Sequence, residues 1–183
     1  MPDEEATIME VQRAVDEVPV GHPDRARMIG NLEDQLEYRY EQTGNLEDLE
    51  AVIIQLEARL AATPKGHPDR AGLSNKFGNH LSTRYERLGN LQDLEAAISS
   101  LEVAVKATPD GHPAQALMLT SLGKCLRNRY NRTQDLSDLE ASIAHLEARE
   151  EATSEGHPDR ANSYTVLGAI SASGINDLGI YRA

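Results

Sequence analysis

Aromatic residues are scarce in this 183-residue chain, which has no Trp and a single Phe, Phe77. Because only 4% of the residues are aromatic, a hydrophobic core has to be built from Leu, Ile, Val, Ala and a few Tyr. Such side chains suit closely packed helices better than a β-sandwich, whose strands favour β-branched and aromatic residues. The composition therefore favours a helical protein.

Cysteine is nearly absent as well, since Cys125 is the only one. A single cysteine excludes an intrachain disulfide and a zinc site built from cysteines. The first residues, MPDEEAT, lack the apolar core of a signal peptide. No stretch approaches the roughly 18–20 apolar residues of a membrane span. We therefore expect a cytoplasmic protein.

Basic residues are outnumbered: 18 Lys and Arg stand against 30 Asp and Glu, which gives a net charge of −12. Binding to nucleic acid without sequence preference depends on neutralising phosphates with Lys and Arg. An anionic membrane surface attracts basic segments for the same reason. The charge balance therefore predicts neither a nucleic-acid nor a membrane partner.

What the chain does contain is a repeat. The hexapeptide GHPDRA stands at 21–26, 66–71 and 156–161, and a variant, GHPAQA, stands at 111–116. Each copy begins 45 residues after the one before, and the segments between them also match. A fixed period of this length predicts stacked structural units. We expect one repeat domain over 1–183, with a half repeat at 1–20, repeats at 21–65, 66–110 and 111–155, and a degenerate partial repeat at 156–183.

Each unit is predicted to hold two helices, A and B. In the second unit the apolar residues recur mostly every three or four positions, which predicts helix A over about 67–88. Gly89 is placed to end helix A, Asn90 is placed to cap helix B, and Thr108-Pro109 is placed to stop it. No repeated block alternates like a strand, so the predicted fold class is all-α. The predicted apolar stripes are Ala71, Leu73, Phe77, Leu81, Tyr85 and Leu88 in helix A, and Leu91, Leu94, Ile98, Leu101 and Val105 in helix B.

The unit resembles the tetratricopeptide repeat, in which helix A carries a Leu-Gly pair and helix B carries small, large, small and Pro positions. The length of 45 residues, against about 34 in that family, is similar to arrays of large fungal proteins. Those arrays lie beside a CHAT protease domain or a signalling NTPase domain. The residues that carry the resemblance are Phe77-Gly78 and Leu122-Gly123 in helix A, and Ala97, Leu101, Ala104 and Pro109 in helix B.

The resemblance implies a right-handed α-solenoid of antiparallel helix pairs, a tetratricopeptide-like superhelix in which helix A lines a concave surface. Stacking is required because a single pair cannot bury its apolar face alone. The family holds a peptide or a helix of a partner protein and has no catalytic chemistry. We therefore expect a non-enzymatic protein–protein interaction scaffold without a cofactor. The alternative is a regulatory or sensor fragment that controls an associated protease or NTPase effector.

Two units depart from the family pattern. In the first unit Glu33 replaces the glycine, and Val52 and Arg59 replace small residues. In the third unit Arg149 and Ser154 stand in place of Ala and Pro. We expect looser packing at these places.

A histidine recurs at each joint between units, as His22, His67, His112 and His157. Metal binding would require these side chains to converge within about 2 Å of one ion. Equivalent positions in a helical array lie at least about 8–10 Å apart, so a structural role is predicted. Because histidine is a poor N-cap, we expect a hydrogen bond or a packing contact between repeats. The copy GHPAQA keeps Gly, His and Pro, so the turn is what recurs.

An Arg-Tyr pair stands near the end of each helix A. It is either a stacking platform for bases or peptides, or a core Tyr beside an Arg that reaches a carboxylate of a neighbouring helix. Regular recurrence favours the second interpretation. The pairs are Arg39-Tyr40, Arg84-Tyr85 and Arg129-Tyr130.

Cys125 has two histidines in the same unit, His112 and His145, which raises the alternative of a Cys/His dyad. A nucleophilic cysteine needs a base within hydrogen-bond reach and donors for an oxyanion. Cys125 lies in the middle of a predicted helix, where no backbone donors are offered. We therefore expect an inert thiol.

Three positions of helix A differ from unit to unit while the apolar stripe stays fixed. Helical spacing places them on a common face away from the stripe. If helix A lines a groove, these side chains contact the ligand, and the alternative is a solvated face that is free to vary. No catalytic, cofactor or metal residue is predicted. The predicted partner-binding residues are Asp34, Glu37, Asn75, Asn79, Ser82, Thr120, Lys124 and Arg127.

Charge is graded along the A helices. Residues 33–41 contain four acids and one Arg, whereas residues 124–132 contain one Lys, three Arg and no acid. Such a gradient would orient an extended partner. The alternative is that the basic stretch pairs with acidic residues of the B helices.

The tail, 169–183, breaks the repeat pattern. A last helix A is predicted to begin at Pro158 and to end near Ser171. The residues after it are small and apolar, whereas a terminal cap normally presents a polar outer face. Truncation, a processing boundary or self-association through the tail would each explain this composition.

Overall fold

A computed structural model describes residues 2–19, 21–109 and 111–152. Over these residues the secondary structure consists of seven helices and no strand, which confirms the predicted all-α class. The predicted helix at 158–171 and the tail lie outside the described residues. The helices are α1 (Pro2–Glu17), α2 (Pro23–Thr43), α3 (Leu46–Ala62), α4 (Asp69–Leu88), α5 (Leu91–Ala107), α6 (Pro113–Thr133) and α7 (Leu136–Ala152).

The helices follow the 45-residue step of the sequence. The helices α3, α5 and α7 each contain 17 residues and begin at equivalent positions, and α1 stands one step before α3. We call α2, α4 and α6 the A helices, and α1, α3, α5 and α7 the B helices. Successive helices pack against each other along the chain, and α4 also contacts α6.

The helix ends are set by local chemistry, as predicted. The side chain of Asn90 accepts a hydrogen bond from the backbone N–H of Gln92, at 3.0 Å, and so caps α5. Gly89 ends α4 with φ +73°, in the left-handed region that glycine adopts without steric cost. In the third unit Gln134 holds the same position with φ +59°, and its side-chain amide donates to the carbonyl of Tyr130 at 3.3 Å.

The recurring histidine caps its own helix, and a contact of this side chain between repeats stays a prediction. Nδ1 of His22 accepts a hydrogen bond from the backbone N–H of Asp24 at 3.2 Å, and His112 does the same to Ala114 at 3.1 Å. An imidazole nitrogen is an acceptor when it carries no proton, so the ring substitutes for the usual Asn or Asp.

The arginine of the hexapeptide closes the preceding helix. Nη1 of Arg70 donates to the carbonyls of Leu60 and Thr63, at 3.0 and 2.5 Å. These carbonyls belong to the last turn of α3 and to its C-cap residue, where backbone acceptors have no partner within the helix. The joint GHPDRA therefore begins one helix with its His and ends another with its Arg.

The core runs along the stack between A and B helices. Most predicted stripe residues of the second unit are buried or half-buried. The prediction is wrong for Leu88 and Leu91, which are 60% and 40% exposed. Both flank the turn between α4 and α5, where no further helix covers them. The buried residues of the central cluster are Leu49, Ile53, Leu81, Leu94, Ala97, Ile98, Leu101, Leu122, Cys125 and Leu126.

The arginine of each Arg-Tyr pair forms an ion pair between an A helix and the B helix that follows. Arg84 holds Asp93 through two hydrogen bonds of 2.9 and 2.6 Å and also bonds to Glu50 of the preceding B helix. Hydrogen bonding to Asp93 raises the pKa of Arg84 above its usual range. Arg129 repeats this arrangement, and the prediction that the Arg reaches a carboxylate is confirmed.

The glycine of helix A allows a close approach of two helices. A Cβ added to Gly78 would lie 2.7 Å from Cγ of Leu101 and 3.1 Å from the carbonyl oxygen of Ala97. The looser packing expected in the first unit is observed between α2 and α3, which lie close along less of their length than α4 and α5 do. There Glu33, which takes the place of the glycine, is buried and forms an ion pair with Arg59, which takes the place of a small residue. The two departures from the pattern therefore pair with each other.

Candidate partner-binding surface

The eight predicted partner-binding residues lie on α2, α4 and α6, at three sets of equivalent positions. Their exposure is not uniform. Asp34 and Lys124 are exposed, whereas Ser82 is only 6% exposed. The expectation that all of them share a face away from the core is therefore wrong for Ser82. A ligand-binding role for the other seven stays a prediction.

Glu37 contacts the next A helix instead of open solvent. Oε1 of Glu37 lies 3.4 Å from Nε2 of His80, and Oε2 lies 3.5 Å from Nζ of Lys76. Lys76 also lies 3.3 Å from a carboxylate oxygen of Asp34. Two acidic residues predicted to bind a partner are thus paired between α2 and α4.

His80 is placed to carry a proton. Its Nδ1 lies 2.8 Å from the carbonyl oxygen of Lys76, so the doubly protonated ring donates to an acceptor on each side. Burial opposes the charge, but the hydrogen bonds to Glu37 and to this carbonyl outweigh it and raise the pKa of His80. The hydrogen bond to His80 in turn lowers the pKa of Glu37.

We expect the substitution His80→Gln to destabilise the protein most between about pH 4.5 and 6.5, the ordinary pKa values of Glu and His. The raised pKa of His80 gives a stabilisation that is lost as pH rises through the folded value. The lowered pKa of Glu37 gives one that is lost as pH falls through its folded value. Urea unfolding of both proteins across this range measures the difference. A difference that does not vary with pH would contradict the charged pair.

Ser82 and Cys125 occupy the positions of Glu37 and His80, one unit later. The two side chains lie close to each other, and Cys125 is buried. Burial raises the pKa of the Cys125 thiol, so the nucleophilic thiolate is disfavoured. This contact continues the junction between A helices.

The basic residues of α6 are only partly neutralised. Nζ of Lys124 lies 2.8 Å from a carboxylate oxygen of Glu86 on α4, and Arg129 pairs with Glu95 at 2.7 Å. Arg127 forms no ion pair within the described residues. Pairing with acidic residues therefore accounts for part of the basic stretch, and Arg127 remains available.

The remaining predicted residues are half-buried on α4 and α6. The hydroxyl of Thr120 donates to the carbonyl of Ala116 at 2.8 Å within its own helix. Oδ1 of Asn75 is buried and has no hydrogen-bond partner among the described residues. The backbone carbonyl of Asn79 accepts a hydrogen bond from the Thr83 hydroxyl at 3.0 Å.

The partners of these residues were missed by reasoning from sequence. The pattern of a single helix does not distinguish Lys76, His80 and Glu86, because their partners lie on other helices. A signal existed, since positions 37 and 80 change together with their equivalents 82 and 125, from a charged pair to a Ser-Cys pair. The two members of each pair are 43 residues apart, so the change becomes visible when residues at this separation are compared, in addition to those one 45-residue repeat apart.

No metal centre and no membrane-spanning helix are found in the part of the chain that the structure describes. No three His, Cys, Asp or Glu side chains of these residues are grouped to hold an ion. None of the helices in these ranges is long and apolar enough to cross a membrane. Comparison with protein-family models, with curated proteins and with solved structures gave no match.

Proposed function

We propose that this chain is a non-enzymatic interaction scaffold of the tetratricopeptide-like kind, a right-handed solenoid of antiparallel helix pairs. The A helices α2, α4 and α6 would present one continuous surface to a peptide or a helix of a partner. Support comes from the ion pairs that link successive A helices, Lys76 to Asp34 and Lys124 to Glu86, because they set these helices side by side. Binding modules of stacked helices use such extended surfaces.

The observation that carries the proposal is the change of charge along this surface. At the α2 end the exposed side chains of Asp34 and Tyr38 stand together. At the α6 end Lys124 is exposed and Arg127 has no ionic partner within the described residues. A partner segment with basic residues near α2 and acidic residues near α6 would match both ends.

We expect the double substitution Lys124→Glu/Arg127→Glu to weaken binding of such a segment at least about tenfold, because two attractive contacts become repulsive. The segment is found by selecting random 16-residue peptides displayed on phage against the immobilised protein. A fluorescent copy of an enriched peptide is then titrated at low and at high salt. The loss should shrink as salt is added, since exposed charges are screened.

The matched control is Lys106→Glu. Lys106 is an exposed lysine of the B helix α5, with Glu102 as its only ionic contact in the described residues. Its reversal should leave the affinity within about twofold, because a distant exposed charge is screened. Equal losses in control and double variant, or no enriched peptide, would refute the charged surface.

A further inference from the structure

The two junctions between successive A helices differ in how closely the backbones approach. Cα atoms of α4 and α6 come within 8 Å of each other, whereas no Cα of α2 lies that close to one of α4. The short side chains of Ser82 and Cys125 lie in the closer junction. The wider junction, between α2 and α4, is spanned by longer, charged side chains. The link between α2 and α4 therefore depends on the charges that these side chains carry.

Apolar contacts hold both α2 and α4 on the helix α3. Leu36 of α2 and Leu73 of α4 belong to one buried cluster with Val52 and Leu56 of α3. Contacts between apolar side chains carry no charge, so they do not respond to pH. The direct link between α2 and α4 is polar, and α3 can therefore serve as the axis about which these two helices move apart.

The polar link depends on how many protons His80 carries. Nε2 of His80 lies 3.4 Å from Oε1 of Glu37, and Nδ1 lies 2.8 Å from the carbonyl oxygen of Lys76. A ring with two protons donates to both oxygens, whereas a ring with one proton can donate to only one of them. The carbonyl belongs to the same helix and is the nearer acceptor, so it keeps the remaining proton. Glu37 then faces a nitrogen lone pair and loses its donor.

The second link between α2 and α4 is too exposed to replace this contact. Nζ of Lys76 lies 3.3 Å from a carboxylate oxygen of Asp34 and 3.5 Å from one of Glu37. The Lys76 and Asp34 side chains are 46% and 70% exposed, so water and salt screen their attraction. His80, in contrast, is only 9% exposed. The contact of Glu37 with His80 is therefore the one that holds the two helices together.

The charged groups that act on the His80 ring are Glu37 of α2 and Lys76 of its own helix. Burial opposes the charge of the ring, but the hydrogen bonds to Glu37 and to the Lys76 carbonyl raise the pKa above its ordinary value of 6.5. The other helices that pack against α4 place their charged partners at different residues of it. In the described residues these ion pairs are Glu50 of α3 and Asp93 of α5 with Arg84, and Lys124 of α6 with Glu86.

We infer that the α2–α4 junction is a pH-dependent latch, in which doubly protonated His80 holds α2 against α4 and the loss of one proton lets the two helices move apart about α3. The α4–α6 junction has Ser82 and Cys125 at the equivalent positions and stays closed over the same pH range, because burial keeps the thiol protonated. The spacing between the first and second units therefore changes with pH, and that between the second and third does not. This holds whether or not the A helices bind a partner.

Nitroxide spin labels can measure each junction separately. Gln42, Arg87 and Arg132 are exposed residues at equivalent positions of α2, α4 and α6, outside the latch. One protein carries Gln42→Cys and Arg87→Cys, the other carries Arg87→Cys and Arg132→Cys, and Cys125→Ser in both leaves no other thiol to label. Between about pH 5.5 and pH 9, we expect the α2–α4 separation to increase by at least about 1–2 Å, the amplitude of helix shifts at interfaces. The α4–α6 separation should stay constant.

Two variants and one matched control test the role of His80. His80→Gln and Glu37→Gln each remove one side of the contact, so the α2–α4 separation should lose its pH dependence in both. His67→Asn is the control, because His67 caps α4 through Nδ1 and asparagine preserves that cap, so the movement should persist. Circular dichroism checks that every variant keeps its helices.

The midpoint of the movement identifies the group that drives it. An NMR titration of the His80 ring should give the same midpoint as the change in the α2–α4 separation. The latch is refuted if both separations change together, if neither changes, or if the change persists in the His80→Gln protein.

Discussion

Replacing Arg59 by Ala should lower the free energy of unfolding by about 3 kcal/mol at neutral pH, because it leaves the carboxylate of Glu33 buried without a partner. Glu33 is 1% exposed and faces the interior between α2 and α3. Breaking a buried pair usually costs about 3–5 kcal/mol. The Arg59 side chain is itself 26% exposed, so we expect the lower end of this range. Urea unfolding followed by circular dichroism gives the value.

The loss in the Arg59→Ala variant should shrink as the pH falls towards about 5. Burial raises the pKa of Glu33 in the wild type, with Arg59 acting against it, and removal of Arg59 takes that opposition away. A folded state with a raised carboxyl pKa binds the proton more tightly than the unfolded chain does, so acid stabilises the variant.

Two further variants serve as controls for Arg59→Ala. Arg27→Ala, which removes an exposed ion pair to Asp24, should change stability by no more than about 0.5 kcal/mol. Glu33→Gly combined with Arg59→Ala restores the residues of the second unit at both positions and should recover part of the loss. If Arg59→Ala costs no more than Arg27→Ala at neutral pH, the buried pair does not stabilise the fold.

Replacing Gly78 by Ala should destabilise the protein by about 1–3 kcal/mol, although alanine is the better helix former by about 1 kcal/mol. The new methyl group would lie 2.7 Å from Cγ of Leu101 and 3.1 Å from the Ala97 carbonyl, so α4 and α5 would have to move apart. Because one obstacle is backbone, a change of rotamer alone does not relieve it. Thermal and urea unfolding measure the effect.

Alanine substitutions at two other glycines of the A helices distinguish the effect of helix packing from that of helix propensity. Gly123→Ala should be milder than Gly78→Ala, because its nearest contacts, to Leu146 and Ser142, are 3.4 Å away. Gly72→Ala should stabilise α4 by about 0.5–1 kcal/mol, since its Cβ meets nothing within 4 Å. A Gly78→Ala protein as stable as Gly72→Ala would show that the close approach of the helices is not needed.

The sequence predicted the helices well because their limits are set by local chemistry. Asn90 caps α5, Gly89 ends α4 and Thr108 ends α5, and each of these signals acts within a few residues. Most of these signals recur one repeat length apart, which distinguishes them from accidental matches. Exposure at the turns was harder to predict, since an apolar residue such as Leu88 fits the periodicity whether or not a further helix covers it.

The candidate surface was less predictable because it depends on how neighbouring A helices are rotated. A polar side chain at a helical spacing has the same sequence pattern when it faces solvent and when it faces another helix. Ser82 and Glu37 both met this pattern, but one is buried against Cys125 and the other pairs with His80. Histidine is also rare at the N-cap, but this is a statistical tendency. It does not prevent Nδ1 of His22 from accepting the hydrogen bond that caps α2.

The junctions between A helices also bear on how a chain of near-identical units folds correctly. Repeat proteins are prone to misassembly, because one unit can replace another during folding. Here α2 meets α4 through Glu37 and His80, and α4 meets α6 through Ser82 and Cys125. If α2 packed on α6 instead, the Glu37 carboxylate would face a thiol and lose its cation. Because the two junctions differ, packing the units in the wrong order costs free energy, and the correct order is favoured.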